Sequence, residues 1–160
     1  ADGKYRYRLI RDLGMMGEGT CCFIMLNPST ADAINDDPTI RRCMAYARTF
    51  GCDRLEVVNL FAYRSTDSHA LYGISKQIAI GPGNDRYIAE ACNASRLVIC
   101  AWGNLGVLFN RSEEVLKLIR AQYGAQPMAL KINRKSKQPA HPLYLKADAQ
   151  PVEITKGSGT

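Results

Sequence analysis

Four short motifs, each closing an apolar run, hold the residues of this chain best suited to chemistry: Asn27-Pro28-Ser29, Asn59-Leu60-Phe61, Ala101-Trp102-Gly103 and His141-Pro142-Leu143. Each run reads as a buried strand. Polar side chains at the carboxyl ends of parallel strands converge on one rim, where open α/β sheets bind ligands, so a single site built from all four motifs is expected. Around them, Arg64 and Arg86 either bind phosphate or lie on a solvated face. Asp32, Asp36 and Asp37 supply a general base or a metal site, or serve as caps and loop solvation. Each motif also has a purely structural reading. Asn27-Pro28 makes an ordinary turn, Asn59 caps the next segment, His141 is a satisfied loop histidine and Trp102 fills the core. The joint order of the motifs, each at a strand end, favours a site.

The elements that must position these residues follow from the patterning. Tyr5 to Leu13 alternates and then turns apolar, and a Gly-rich turn over 14–19 leads into Thr20 to Leu26, which together read as a hairpin. Its second arm, Cys21 to Leu26, is continuously apolar, as in a strand covered on both faces. Asp37 before Pro38 is an N-cap followed by an N1 proline, and Gly51 stands where a C-terminal cap belongs. Between them Ile40, Cys43, Met44, Ala47 and Phe50 recur at helical spacing. Arg54 to Asn59 reads as the next strand, completing a βαβ unit. Ala62 to Gly83 is irregular, with a weak helical pattern around Leu71; long irregular connections are often functional. Asn84 to Ala94 reads as a helix and Arg96 to Ala101 as a third buried strand. A further helix starts at Ser112, faces Val115, Leu116, Ile119 and Tyr123 inward and stops at Gly124, and Met128 to Ile132 forms a short last strand. The basic loop 133–140 then leads to His141.

The length of 160 residues, with 46% hydrophobic and 22% charged, fits one globular domain over 1–155. Lys156 to Thr160 reads as a flexible linker or cloning scar. No apolar stretch approaches the roughly 18 residues that span a bilayer, and the first residues lack the apolar region of a signal peptide, so a cytoplasmic protein with no membrane partner is expected. Nothing implies a cofactor or an obligate protein partner. Lys and Arg outnumber Asp and Glu by 21 to 15, with a pI near 9.1, which favours an anionic partner such as nucleic acid or nucleotide. The densest basic cluster, Lys131, Arg134, Lys135 and Lys137, immediately precedes His141 and offers phosphate contacts through Arg134, Lys135 and Lys137. The six cysteines contain no C-x-x-C pair and are expected to be reduced structural thiols with no metal bound.

The order of strand and motif resembles the uracil-DNA glycosylase superfamily over most of Thr20 to Leu145. Phe23 to Ser29 is similar to the strand ending in an Asn-Pro turn in its mismatch-specific branch, Val57-Val58-Asn59-Leu60 to the strand whose terminal Asn reads the base, and His141-Pro142 to the closing His-Pro loop. Val98 to Gly103 matches the apolar strand before a Gly turn. The resemblance implies a three-layer α/β/α sandwich around a mainly parallel four-stranded sheet, to which the N-terminal hairpin is added. It implies Asn27 as water positioner, His141 as donor to the base oxygen and Asn59 as the partner of the base edge, with Pro28, Ser29, Phe61, Tyr63, Arg64, Trp102 and Leu143 as further base or ligand contacts.

No aromatic follows Asn27 within about fifteen residues to serve as the usual stacking plate, which leaves Phe61, Tyr63 or Trp102 to substitute. The closing motif is His-Pro-Leu-Tyr-Leu in place of the Ser-bearing form. More closely, the runs over 26–32, 36–39, 59–64 and 81–85 resemble a domain-of-unknown-function family, number 1643. Three functions fit these features: an N-glycosylase-type hydrolase acting on an altered base, a non-catalytic nucleic-acid or nucleotide-binding module, and an enzyme of a small anionic metabolite gripped by Arg64 and Lys131.

Overall fold

The computed structural model describes residues 3–29, 31–32, 34–122 and 124–155. Tyr123, Thr30 of the Asn27 loop and the tail 156–160 lie outside the described residues. Among those described, six strands form one sheet: β1 (Leu9–Asp12), β2 (Thr20–Met25), β3 (Arg54–Asn59), β4 (Leu97–Cys100), β5 (Pro127–Ala129) and β6 (Val152–Glu153). Their spatial order is β1-β3-β2-β4-β5-β6. The inner four run parallel, while β1 and β6 join their neighbours antiparallel at the two edges. The sheet is therefore six-stranded and mixed, larger than the four-stranded sheet expected.

The expected hairpin is absent, because β1 pairs with β3 and not with β2. β2 is buried along Cys21 to Met25 and needs a hydrogen-bonding neighbour on each edge, which the parallel strands β3 and β4 supply. The Gly-rich connection instead packs on the turn before β3, with Glu18 N–H donating to the Gly51 carbonyl and Leu13 N–H to the Asp53 carbonyl.

Four α-helices complete the chain: α1 (Pro38–Thr49), α2 (Lys76–Ile80), α3 (Asn84–Ala94) and α4 (Arg111–Arg120). Asp37 caps α1 by accepting from Ile40 N–H at 2.8 Å, and Pro38 occupies its first turn. This helix sets Ile40, Cys43, Tyr46 and Ala47 on one face of the sheet against Phe23, Met25, Leu55, Val57 and Ile99. On the other face Ile88, Ala91 and Cys92 of α3 and Val115, Leu116 and Ile119 of α4 pack on Cys22, Ile24, Val58, Val98 and Cys100. Helices thus cover both faces, and the alternation along each strand assigns every second side chain to one core or the other.

α4 begins one residue before Ser112, after Asn110 in the left-handed conformation (φ 57°), and Ser112 is buried inside the helix. The connection 62–83 contains a 3₁₀ turn at Ser68–Gly73 around buried Leu71, followed by α2. All six cysteines are free and buried. Among the described residues no helix is long and apolar enough to cross a membrane.

Candidate functional site

The connection from β2 leads through α1 to β3, and that from β4 leads through α4 to β5 on the opposite face. The carboxyl ends of the neighbouring strands β2 and β4 therefore flank a topological switch point, where a crevice opens in α/β sheets. A cavity of about 360 Å³ lies there, lined by residues of all four motifs: Asn27, Pro28 and Ser29, Asn59, Trp102, and His141. Met25, Leu26, Ile40, Val57 and Leu105 give it apolar walls, while Arg6, Asp37, Ser65, Thr66, Ser68 and Asn104 add polar groups.

Asn59 is the last residue of β3, in register with Met25 of β2. It is only 4% exposed, and its side-chain amide makes no hydrogen bond among the described residues. The backbone beneath it is clamped. Asn84 Nδ2 donates to the carbonyls of Asn59 at 3.0 Å and Leu60 at 3.2 Å, and buried Arg111 donates through Nε to the Leu60 carbonyl at 2.9 Å. Arg111 is held in turn by Asp85 at 2.6 Å. A fixed backbone thus presents an amide to the cavity, where its donor and acceptor are open to a ligand or water.

Asn27 has a different environment. Its Nδ2 donates to the carbonyls of Pro28 (3.2 Å), Ser65 (3.1 Å) and Tyr63 (3.4 Å), tying the end of β2 to the segment after β3. Three carbonyl oxygens around one atom identify it as the nitrogen, which leaves Oδ1 as the atom for a ligand or water.

His141 caps the 3₁₀ turn Pro142–Tyr144, its Nδ1 accepting from Leu143 N–H at 3.3 Å. The neutral ring then carries its proton on Nε2, as a donor. Burial lowers the His141 pKa, and the negative charge of Asp37 acts against that shift. The turn is strapped to α1 by Arg42, which donates to the Leu145 carbonyl, and by the Tyr46 hydroxyl, which donates to that of Lys146. The left-handed Gly103 (φ 77°) brings the third motif against this turn, its N–H donating to the Pro139 carbonyl at 2.9 Å.

The other expected residues lie elsewhere. Phe61 is fully buried in the core under α3 and α4, against Phe109. Tyr63 is half-buried with its ring edge-on to Tyr5, and Arg64 and Leu143 are half-buried outside the cavity lining. Trp102 is 1% exposed, with its indole N–H committed to Gln138 Oε1 at 2.8 Å, so it serves the cavity as wall. Arg134, Lys135 and Lys137 are exposed on a loop latched to the rim: Asn133 Nδ2 and Ser136 Oγ both donate to Oδ1 of the cavity residue Asn104, at 2.7 and 2.6 Å.

Sequence reading missed Arg6, Ser65, Thr66, Ser68 and Asn104, and weighed Asp37 chiefly as a cap. Arg6 sits in a Tyr-Arg alternation that reads as a strand arm, and only the hydroxyl-rich run 65–68 directly after the Asn59 motif could have signalled that wall. Asp37 both caps α1 and lines the cavity.

Neither a curated protein nor a solved structure matches the chain. A family model described as a protein of unknown function (DUF1643) matches residues 6–143, the span that runs from the cavity arginine of the first strand arm to the turn capped by His141. The chain is therefore a member of the DUF1643 family.

Proposed function

We propose that the cavity takes an altered base of nucleic acid or of a nucleotide and cleaves its N-glycosidic bond. The observation that carries this reading is Asn59: a nearly buried amide, without a hydrogen bond among the described residues, lining the cavity that also receives Asn27 and His141. A side-chain amide presents a donor and an acceptor side by side, the complement of a base edge. A volume of about 360 Å³ falls within the range of small-molecule pockets and admits a base with part of its sugar. The likeness to the uracil-DNA glycosylase superfamily, with a strand-end Asn, a second strand-end Asn and a His-Pro turn in the same chain order, supports the same reading.

Glycosidic cleavage builds positive charge on the sugar and negative charge on the departing base. His141 Nε2–H is the donor for the base oxygen, and its depressed pKa keeps the ring neutral near pH 7. Asn27 Oδ1 accepts from the attacking water, and the Asp37 carboxylate offsets the charge on the sugar. Leu26, Ile40 and Leu105 replace an aromatic plate as walls.

Oligonucleotides carrying uracil, deaminated purines or hypermodified pyrimidines test the proposal. One of them should acquire an alkali-labile abasic site, and His141→Gln should slow its formation by about 10²–10³-fold, as for loss of a charge-stabilising donor. Absence of product across the panel overturns the hydrolase reading. A second reading, binding without turnover, is favoured by one observation: the Asn27 amide nitrogen is fully used by backbone carbonyls, as in a structural residue. Saturable binding of an oligonucleotide that yields no abasic site selects it.

A further inference from the structure

One wall of the cavity carries positive charge and hydroxyl groups that the base-recognition reading does not use. Arg6 lines it together with Thr66 and Ser68, whose hydroxyls make no hydrogen bond among the described residues. Arg6 Nη1 donates to the Ala31 carbonyl at 2.6 Å, which fixes the guanidinium in place without neutralising it. Arg64, half-buried two residues before Thr66, has no carboxylate partner among the described residues and lies close enough for its charge to act on Arg6. Burial and the charge of Arg64 depress the Arg6 pKa, with Asp32 opposing.

Among the described residues Asp37 is the one carboxylate in the cavity lining, at the start of α1, and the other acidic groups nearby have partners outside it. Asp32 accepts from the Ile34 and Asn35 backbone and from the Asn35 side chain, which hold its pKa down to about 2. Asp36 pairs with Arg11 at 2.6 Å, Asp37 caps α1, and Asp67 caps the 3₁₀ turn through His69 N–H. Two guanidinium groups of like charge, partly withdrawn from water beside unpaired hydroxyls, lower their mutual repulsion by sharing an anion. Phosphate, with several acceptor oxygens, suits guanidinium forks and hydroxyl donors together.

We propose that Arg6, Thr66 and Ser68 of the cavity lining, with Arg64 beside them at its edge, form an anion subsite that holds the phosphate of a nucleoside phosphate ester whose base reaches Asn59. The assignment rests on the base-recognition reading for the second half of the ligand. The phosphate belongs either to a free nucleotide or to a strand, and the two differ in whether the far side of the cavity, under the basic loop 133–138, is engaged as well.

Calorimetric titration of the full chain with inorganic phosphate, with nucleosides, with their 5′-monophosphates and with short single-stranded oligonucleotides tests this. The monophosphate should bind at least ~10-fold more tightly than its nucleoside, the range of a charge-assisted hydrogen bond. That ratio should collapse toward one in Arg64→Gln and fall in Thr66→Val; unchanged thermal unfolding excludes misfolding as the cause. Oligonucleotide affinity that drops with Lys135→Glu/Lys137→Glu, when monophosphate affinity does not, assigns the phosphate to a strand; equal affinities assign it to a free nucleotide. A monophosphate that binds no better than its nucleoside overturns the subsite and leaves base recognition standing. Inorganic phosphate bound in an Arg64-dependent manner, with no nucleoside binding at all, keeps an anion site but overturns the ester assignment and the base reading with it.

Discussion

His141 and Asp37 form the most informative pair of residues for testing the site. Burial lowers the His141 pKa and the Asp37 charge counteracts it, so Asp37→Asn should move the imidazole further below its ordinary value near 6.5. Asn is as good an N-cap as Asp, which keeps α1 intact in the variant. An NMR titration of the His141 ring, assigned with His69→Gln, reads the shift directly, and a pKa that stays put or rises in Asp37→Asn refutes the electrostatic coupling. The linkage sign follows: the unfolded chain takes up this proton near pH 6.5 and the folded protein only at lower pH, so acidification through that window destabilises the fold. Above it the group adds no pH dependence. At this scale the sequence made Asn27 and Asn59 legible because each closes an apolar run, whereas His141, expected at a strand end, follows the basic loop 133–140 and caps a 3₁₀ turn well beyond the end of β5 at Ala129. Phe61, Tyr63 and Leu143, expected as ligand contacts, are absent from the cavity lining, and Phe61 and Tyr63 pack instead on the core under α3 and α4.

At the scale of elements, α1, β3 and α3 follow the sequence reading closely, since caps and periodicity are local signals. Asp37-Pro38 starts α1, Arg54 to Asn59 is β3 and Asn84 to Ala94 is α3. Less regular is the turn Asn104–Asn110 between β4 and α4, which departs from helical geometry at Leu108 and Phe109. Its Gly106 is required by space: a Cβ there would stand 2.1 Å from Trp102 Cδ1, and Trp102 is itself pinned to Gln138. Gly106→Ala should therefore cost about 1–3 kcal/mol, as overpacking of a close-fitted core does. Denaturant unfolding measures the loss, and a variant as stable as the parent would show that the wall yields more readily than its packing implies. β1 is the element whose place the sequence could not give. An alternating arm followed by glycines is compatible with pairing to the next strand in the chain, and only competition for both edges of β2 sends it to β3.

Across the whole molecule, the excess of 21 basic over 15 acidic residues is unevenly spent. Arg111 and Arg11 are consumed in ion pairs, whereas Arg134, Lys135 and Lys137 are exposed on the loop latched to the cavity rim through Asn104. If that loop meets phosphates, the logarithm of oligonucleotide affinity should fall linearly with the logarithm of salt. Lys135→Glu/Lys137→Glu should flatten the slope by roughly 0.7–0.9 per lost contact. Fluorescence anisotropy across a salt series measures it, and a slope indifferent to the two substitutions removes the loop from the interface. By itself the sequence determined most of the strand and helix segments, their α/β succession and the strand-end position of Asn27 and Asn59, because periodicity, capping and burial of apolar runs act over a few residues. The tertiary structure alone decided the strand order, the cavity at the switch point between β2 and β4, and the arrival there of Arg6, Asp37 and the 65–68 hydroxyls. Those placements depend on which faces and edges remain to be covered once the core has assembled, a competition among distant segments that no local pattern records.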